Sequence, residues 1–216
     1  VWLVPSVTIL DQTIKNLSDI SHPYRQRINT HFGGKVEVYT KDALLQGAGF
    51  SPASVNEQLS ILILSFDSLR SRKKEDRKIY QENGQLASFA GSGDAFNLLE
   101  DIDETSLINV IRKLNPVVIV DESHNAESEL SVEMLKNLNP CFVLDLTATP
   151  RKNSNIISYV NAFELKSENM VKLPVIVYNH HDKTEVVNSA LQLQKRLEAA
   201  AAKEEKNGGR YIRPIV

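Results

Sequence analysis

Short apolar runs bounded by turn-forming residues recur along the chain. They occupy Val1–Val4, Lys35–Tyr39, Ile61–Phe66, Val117–Val120, Phe142–Leu146 and Val175–Tyr178. Runs of this length that are rich in valine, isoleucine and leucine are typical of buried strands. Between them, apolar residues with helical spacing predict two helices, one on Ile9, Leu10, Ile14 and Leu17 and one on Leu107, Ile108, Ile111 and Leu114. Asp103 or Thr105 is predicted to cap the second helix.

Alternation of strands and helices predicts an α/β fold, with a parallel sheet that helices cover on both faces. Residues 70–104 interrupt the alternation, because Arg70–Lys78 holds six basic and two acidic residues and Glu100–Glu104 is acidic. We expect this segment to be an insertion that decorates the sheet. Farther along, Thr184–Lys206 is rich in alanine, glutamate and lysine and is followed by Gly208 and Gly209, which predicts a long helix with a glycine C-cap.

Composition narrows the class of protein. The net charge of −2 argues against a protein that coats nucleic acid by charge alone, but it allows a local basic groove. Cys141, the single cysteine, lies in an apolar run, which predicts that it is a buried core residue in a reducing compartment. The chain has no secretory leader and no apolar run long enough for a membrane helix, which predicts a cytoplasmic protein with no membrane partner.

Both ends of the chain are strand-like. It opens on Val1–Val4 and closes on Tyr211–Val216, and neither run has a polar flank. Natural domains usually begin and end in exposed polar segments. We therefore expect both termini to be cuts through a longer protein.

Two acids follow the fourth apolar run, in the sequence Asp121-Glu122-Ser123-His124. A strand that ends in two acids presents them at the carboxyl edge of the sheet, where open α/β folds bind ligands. There Asp121 can hold Mg²⁺, and Glu122 can polarise a water molecule that attacks a phosphate. Taken alone, the acid pair fits a strand end followed by an ordinary turn equally well.

The next apolar strand ends in Leu146-Thr147-Ala148-Thr149-Pro150. Hydroxyl groups at a strand end can form hydrogen bonds with the acid and the histidine of a neighbouring strand. Alone, these residues also fit a simple turn in which proline stops the strand. The two motifs in this order and at this spacing are specific together.

The chain resembles the superfamily 2 helicases. Asp121–His124 resembles their motif II, and Thr147-Ala148-Thr149 resembles motif III. Leu3–Ser6 is similar to motif Ia, and Leu64–Leu69 lies where motif Ib or its neighbour belongs. Tyr211–Val216 resembles the first strand of the second motor domain, at motif IV. Within the superfamily, Ser21–Thr30 and Asn161–Lys166 resemble the restriction subunit of type III restriction-modification enzymes. The resemblance extends over nearly the whole chain.

This resemblance implies a RecA-like sheet of the P-loop NTPase type and a role for each matching residue. Asp121 and Glu122 would be the catalytic and metal-binding pair, and His124 would couple hydrolysis to DNA contact. Thr147 and Thr149 would take part in this link between hydrolysis and DNA contact. Two serines at strand ends, Ser6 and Ser65, would contact DNA phosphates, although each also fits a plain turn.

The implied function is that of an ATP-dependent DNA translocase or helicase motor. With ATP and Mg²⁺ it would drive or switch DNA cleavage by a separate nuclease domain. Its partners would be double-stranded DNA and a DNA methyltransferase (Mod) subunit. The alternatives are the motor of a type I restriction enzyme, a DNA-repair helicase, and a non-enzymatic RecA-like binding platform.

The sequence departs from the family pattern at the phosphate-binding loop. It contains no G-x-x-x-x-G-K-[ST] motif, because Gly33-Gly34-Lys35 lacks the earlier glycine and is followed by Val36. The family carries this loop before motif Ia, so we expect an incomplete sheet and no cofactor-binding residue in this chain, which alone would be inactive. The strand Phe142–Leu146 would then have an open edge, which could be left to solvent, covered by Val175–Tyr178 or paired with a second copy of the chain. Because the run is apolar, we expect one of the last two.

The expected division of the chain follows from the same resemblance. Residues 1–178 would form a partial first motor domain, with the insertion at about residues 70–104. Residues 179–209 would form a linking helix, and residues 210–216 the first strand of a second domain.

Overall fold

A computed structural model describes residues 1–69, 77–91, 98–122, 129–150, 155–168, 170, 182–211 and 213. The chain divides into two compact units, Val1–Ile156 and Ile157–Val216. The strands of the first unit are β1 (Trp2–Val4), β2 (Val36–Thr40), β3 (Leu59–Ser65), β4 (Val117–Asp121) and β5 (Phe142–Leu146). Its helices are α1 (Val7–Ser18), α2 (Pro23–Phe32), α3 (Lys41–Leu45), α4 (Pro52–Glu57), α5 (Phe66–Leu69), α6 (Leu107–Lys113) and α7 (Glu129–Asn137).

The five strands form one parallel sheet in the order β2-β3-β1-β4-β5. This arrangement confirms the predicted α/β fold class of the RecA-like type. Each of the first five predicted strands is present, with ends that differ by at most two residues from the prediction. The sixth, Val175–Tyr178, lies outside the described residues. The strands that carry the two acids and the Thr-Ala-Thr sequence are neighbours, with Asp121 aligned with Leu146.

The main hydrophobic core lies on one face of the sheet. Leu3, Leu64 and Val120 share a row there, since β1 pairs Leu3 with both of the others, and all three are fully buried. Helix α6 lies on this side and contributes four buried apolar side chains to the same core. On the opposite face, α1 and α2 pack against β1, β2 and β3.

The segment expected to decorate the sheet is in part a component of this core. Ile79, Tyr80, Leu86 and Phe89 are buried there, on the two short 3₁₀ helices Lys78–Tyr80 and Gly84–Phe89. The Nζ of Lys113 donates hydrogen bonds to the carbonyl of Phe89 (3.0 Å) and to Glu104 (3.3 Å). The expectation of a mere decoration is therefore corrected for the described residues of the segment.

Two further expectations about single residues are corrected. The N-cap of α6 is Ser106, whose hydroxyl accepts from the N–H of Asn109. The carboxylate of Asp103 instead accepts from the N–H (2.8 Å) and the hydroxyl (2.6 Å) of Thr105, which forms a separate turn before the helix. Cys141 is exposed rather than buried. It precedes β5, the strand at the sheet edge, where no neighbouring strand covers it among the described residues.

A buried arginine on α2, Arg25, connects this helix to α1 and β2. The side chain of Arg25 donates to the carbonyls of Leu17 (2.7 Å) and Val36 (2.6 Å) and to Oδ1 of Asn29 (3.0 Å). It thus joins the end of α1 to the start of β2. The sequence around it (Ser21–Thr30) is one of the two that resemble type III restriction subunits, and its arginine has a structural role.

The second unit contains α8 (Ala162–Ser167) and α9 (Lys183–Lys206). Helix α9 confirms the predicted long helix: Asn207 caps it, and Gly208 follows with a φ of 87°. None of its residues is buried. After the turn that follows α9, the hydroxyl of Tyr211 donates a hydrogen bond of 2.5 Å back to Glu198 of α9. No helix in the described part of the chain has both the length and the apolarity to cross a membrane.

Candidate active site at the carboxyl edge of the sheet

Because the five strands are parallel, their carboxyl ends all lie along one edge of the sheet. Ser65 is the last residue of β3 and aligns with Val4, two residues before Ser6. Asp121 is the last residue of β4, and Thr147 immediately follows β5. The predicted site residues in the described part of the chain therefore lie along one edge. His124 lies outside the described residues.

The acid pair occupies the end of an internal strand. Strand β4 lies between β1 and β5, and both Asp121 and Glu122 are half-buried. Glu122 has a φ of 51°, a left-handed conformation that costs a residue with a side chain about 1 kcal/mol. This conformation turns the chain sharply at the strand end. Such strain is common at functional sites, where the surrounding structure maintains it.

Burial raises the pKa of the Asp121 carboxyl, and the nearby Glu122 carboxylate raises it further. A hydrogen bond from the backbone N–H of Glu122 opposes both effects by stabilising the charged form. The two carboxylates thus repel each other in the absence of a cation. Binding of a divalent cation between or beside them would relieve this repulsion.

The donor set of this site fits Mg²⁺. Both side chains supply hard carboxylate oxygens, and Mg²⁺ is usually held by one or two carboxylates together with water and substrate phosphates. Among the described residues, no group of three or more histidine, cysteine or acidic side chains could hold a metal ion.

The threonine motif forms a local turn. The hydroxyl of Thr147 accepts from the N–H of Thr149 (3.1 Å) and donates to its carbonyl (3.4 Å). The expected hydrogen bonds from these hydroxyls to the acid of the neighbouring strand are not found among the described residues. The turn still places both threonines directly after the residue that aligns with Asp121.

The two serines have structural partners at this edge. Ser6 is exposed and caps α1, since its hydroxyl accepts from the N–H of Ile9 (3.4 Å). Ser65 shares a hydrogen bond of 2.8 Å with the hydroxyl of Ser68 and accepts from the N–H of Ser68 (3.3 Å). Their role in DNA contact stays a prediction.

One acid in this region was not singled out from the sequence. Asp145 lies within β5 and aligns with Val120, and its Oδ1 is buried without a hydrogen-bond partner. The available signal is a carboxylate inside the apolar run Phe142–Leu146. An inward-pointing charge on an edge strand is a known means of preventing unwanted strand pairing.

The sheet order, the acid pair that ends an internal strand and the threonine turn on the adjacent strand define a RecA-like motor domain of the α/β class. The sequence profile described as "Type III restriction enzyme, res subunit" matches residues 1–152 of the 216. The chain belongs to this family, whose domain is a helicase-like ATPase motor of restriction enzymes. No curated protein matches the sequence.

Proposed function

We propose that this chain provides the acids for ATP hydrolysis and part of the DNA-contacting surface of an ATP-driven DNA motor. The observation that carries the proposal is the Asp121–Glu122 pair at the end of β4, next to the threonine turn that follows β5. Phosphoryl transfer needs little covalent chemistry from a protein, and positioned charge around a metal-bound triphosphate is sufficient.

Each acid has a distinct role in the proposed reaction. Asp121 would hold Mg²⁺, directly or through water, because it is the last residue of β4 and is half-buried at the strand end. Glu122 orients and polarises the water that attacks the γ-phosphate. An Mg²⁺ ion held by these acids would supply positive charge beside the phosphate oxygens of the nucleotide. Thr147 and Thr149 transmit the state of this site to DNA contacts at Ser6 and Ser65.

The edge of the sheet at β5 offers a position for a strand that leads to the phosphate-binding loop. Among the described residues, β5 pairs with β4 alone. Val117, Phe142 and Leu146 lie on the face that α1 and α2 cover elsewhere, and they are 50%, 52% and 40% exposed. A strand beside β5 that leads to β1 by a right-handed crossover would place its helix on this same face. A strand–loop–helix unit would thus cover both the edge and the exposed apolar residues.

The whole enzyme is proposed from the family. The motor would drive or switch cleavage of double-stranded DNA by a separate nuclease domain, in complex with a DNA methyltransferase subunit. Family membership supports these proposals.

The test is Glu122→Gln in a protein that joins this chain to a phosphate-binding loop. The variant should bind Mg-ATP with nearly unchanged affinity, because glutamine keeps the shape of the side chain. Its DNA-stimulated hydrolysis should fall by about 10²- to 10⁴-fold, because the base that polarises water is lost.

Glu37→Gln is the matched control, since Glu37 is an exposed glutamate on β2, at the far edge of the sheet. It should leave turnover unchanged. Full ATP turnover in Glu122→Gln would contradict the assignment. A wild-type protein that binds DNA and hydrolyses no ATP would instead be a non-enzymatic platform.

A further inference from the structure

Helix α9 separates its charged side chains. At 3.6 residues per turn, Lys195, Arg196, Lys203 and Lys206 share an arc of about 100°. We call this the basic face of α9. All four side chains are exposed, and they extend over roughly 16 Å of helix at 1.5 Å per residue. Glu198, Glu204 and Glu205 lie outside this arc, about 60° to 80° beyond its edges.

The helix dipole explains only half of this face. Lys203 and Lys206 lie in or next to the last turn, where positive charge is favourable. Lys195 and Arg196 lie about three turns before the end, beyond the reach of that effect. The residues three and four positions from Arg196 are Gln192, Leu193, Ala199 and Ala200, so no acid is placed to pair with it along the helix.

One acid, Glu198, lies beside the basic face, three residues after Lys195 and about 60° around the helix. Glu198, the acid closest to its centre in sequence, accepts hydrogen bonds from Tyr211 (2.5 Å) and Gln194 (3.5 Å). Glu185 shares the arc but lies in the first turn, roughly 15 Å along the axis from Lys195. Ala199 lies in the middle of the face, and its small side chain allows a close approach.

We propose that the basic face of α9 binds the phosphate backbone of DNA, an inference that rests on the proposed function as a DNA motor. Exposed Lys and Arg side chains along one helix face neutralise phosphates and release counterions. Such contacts carry no base information. The face would thus contribute affinity that is independent of sequence, as a protein that moves along DNA requires.

The experiment compares the full chain with a basic-face variant, Lys195→Gln/Arg196→Gln/Lys203→Gln. Lys206 is kept so that the helix end retains its charge. Binding to fluorescent duplexes of two unrelated sequences is measured by anisotropy across a salt series. We expect the plot of log K against log[salt] to become less steep, with the magnitude of its slope smaller by about 2 to 3, since each phosphate contact contributes about 0.9. The loss of affinity should be equal on both duplexes.

The control variant, Lys15→Gln/Arg27→Gln/Lys35→Gln, removes three exposed basic residues from the first unit and changes the net charge equally. It should keep most of the slope. Circular dichroism should show the same helix content in both variants, because glutamine is a good helix former.

Three outcomes would overturn the inference. If the wild-type chain binds DNA and the basic-face variant keeps its slope, the inference fails and the motor proposal stands. If the wild type binds no DNA, both fail. If the basic-face variant keeps DNA binding and loses binding to phosphatidylserine vesicles, the partner of this face is an anionic lipid surface.

Discussion

Asp121 is a carboxyl group whose charged form the folded protein disfavours. Burial and the adjacent Glu122 raise its pKa, and the N–H of Glu122 offsets them in part. At the residue scale, this electrostatic environment supports the proposed Mg²⁺ site. Perturbed carboxyl groups occur at functional sites because binding requires charge that a bare protein stabilises poorly.

Asp121→Asn should stabilise the metal-free chain in a pH-dependent way. A carboxyl whose pKa is raised on folding contributes stability that is fully present below its unfolded pKa. That contribution is lost as the pH rises to the raised value. The Tm of the variant should therefore equal that of the wild type in acid and exceed it at neutral pH. Thermal melts from acid to neutral pH, without Mg²⁺, measure the difference.

Mg²⁺ provides the control for this prediction. Because the cation needs the carboxylate, added Mg²⁺ should raise the Tm of the wild type more than that of the variant. A Tm difference that does not change with pH would show that Asp121 is not the titrating group.

At the scale of elements, β4 and β5 are tied together at their amino ends as well as by the sheet. Asn115 and Asn139 precede the two strands, with φ values of 44° and 49°. The amide of Asn139 donates to Oδ1 of Asn115 (2.6 Å) and to the carbonyl of Arg112 (3.4 Å). Arg112 in turn donates to the carbonyl of Lys136 (2.7 Å), near the end of α7. These contacts help to keep the acid pair and the threonine turn in register.

Two substitutions at Asn139 separate the side-chain effect from the backbone effect. Asn139→Gly keeps the left-handed conformation and loses the amide, which should cost about 1 kcal/mol. Asn139→Ala loses the amide and also strains the backbone, which adds roughly 1 to 2 kcal/mol. Urea denaturation should rank wild type above glycine above alanine. An alanine variant as stable as the glycine variant would show that the left-handed backbone at this position is not strained for a residue with a side chain.

At the scale of the whole molecule, the chain has the proposed catalytic acids, but its 216 residues contain no G-x-x-x-x-G-K-[ST] motif. Loop amides and a lysine supply most of the affinity for a triphosphate. Two carboxylates with Mg²⁺ are a weak substitute, since they hold the nucleotide only through the metal.

Calorimetry with Mg-ATP on the 216-residue chain should therefore detect no binding in the micromolar range. A protein that joins the chain to a strand–loop–helix unit beside β5 should bind, and its Phe142 should become buried. Micromolar binding by the chain itself would mean that the nucleotide site lies elsewhere.

The five strands of the described sheet, the position of the acid pair at a strand end and the long helix α9 could all be predicted from the sequence. Each depends on a local pattern: an apolar run of strand length, an acid after it, or an alanine-rich stretch followed by glycine. The resemblance to helicase motifs then related these local patterns to one another. Such features depend on residues that are close in the chain, so folding changes them little.

Other features depend on contacts between distant parts of the chain, and no local pattern reveals them. Cys141 and Phe142 are apolar yet exposed, because the sheet order places β5 at an edge. Tyr80, in a segment that reads as a polar insertion, is buried because the sheet and α6 pack around it. The Thr147 hydroxyl bonds within its own turn instead of across to β4. Burial and hydrogen bonding of this kind follow from strand order and packing, which the folded chain alone establishes.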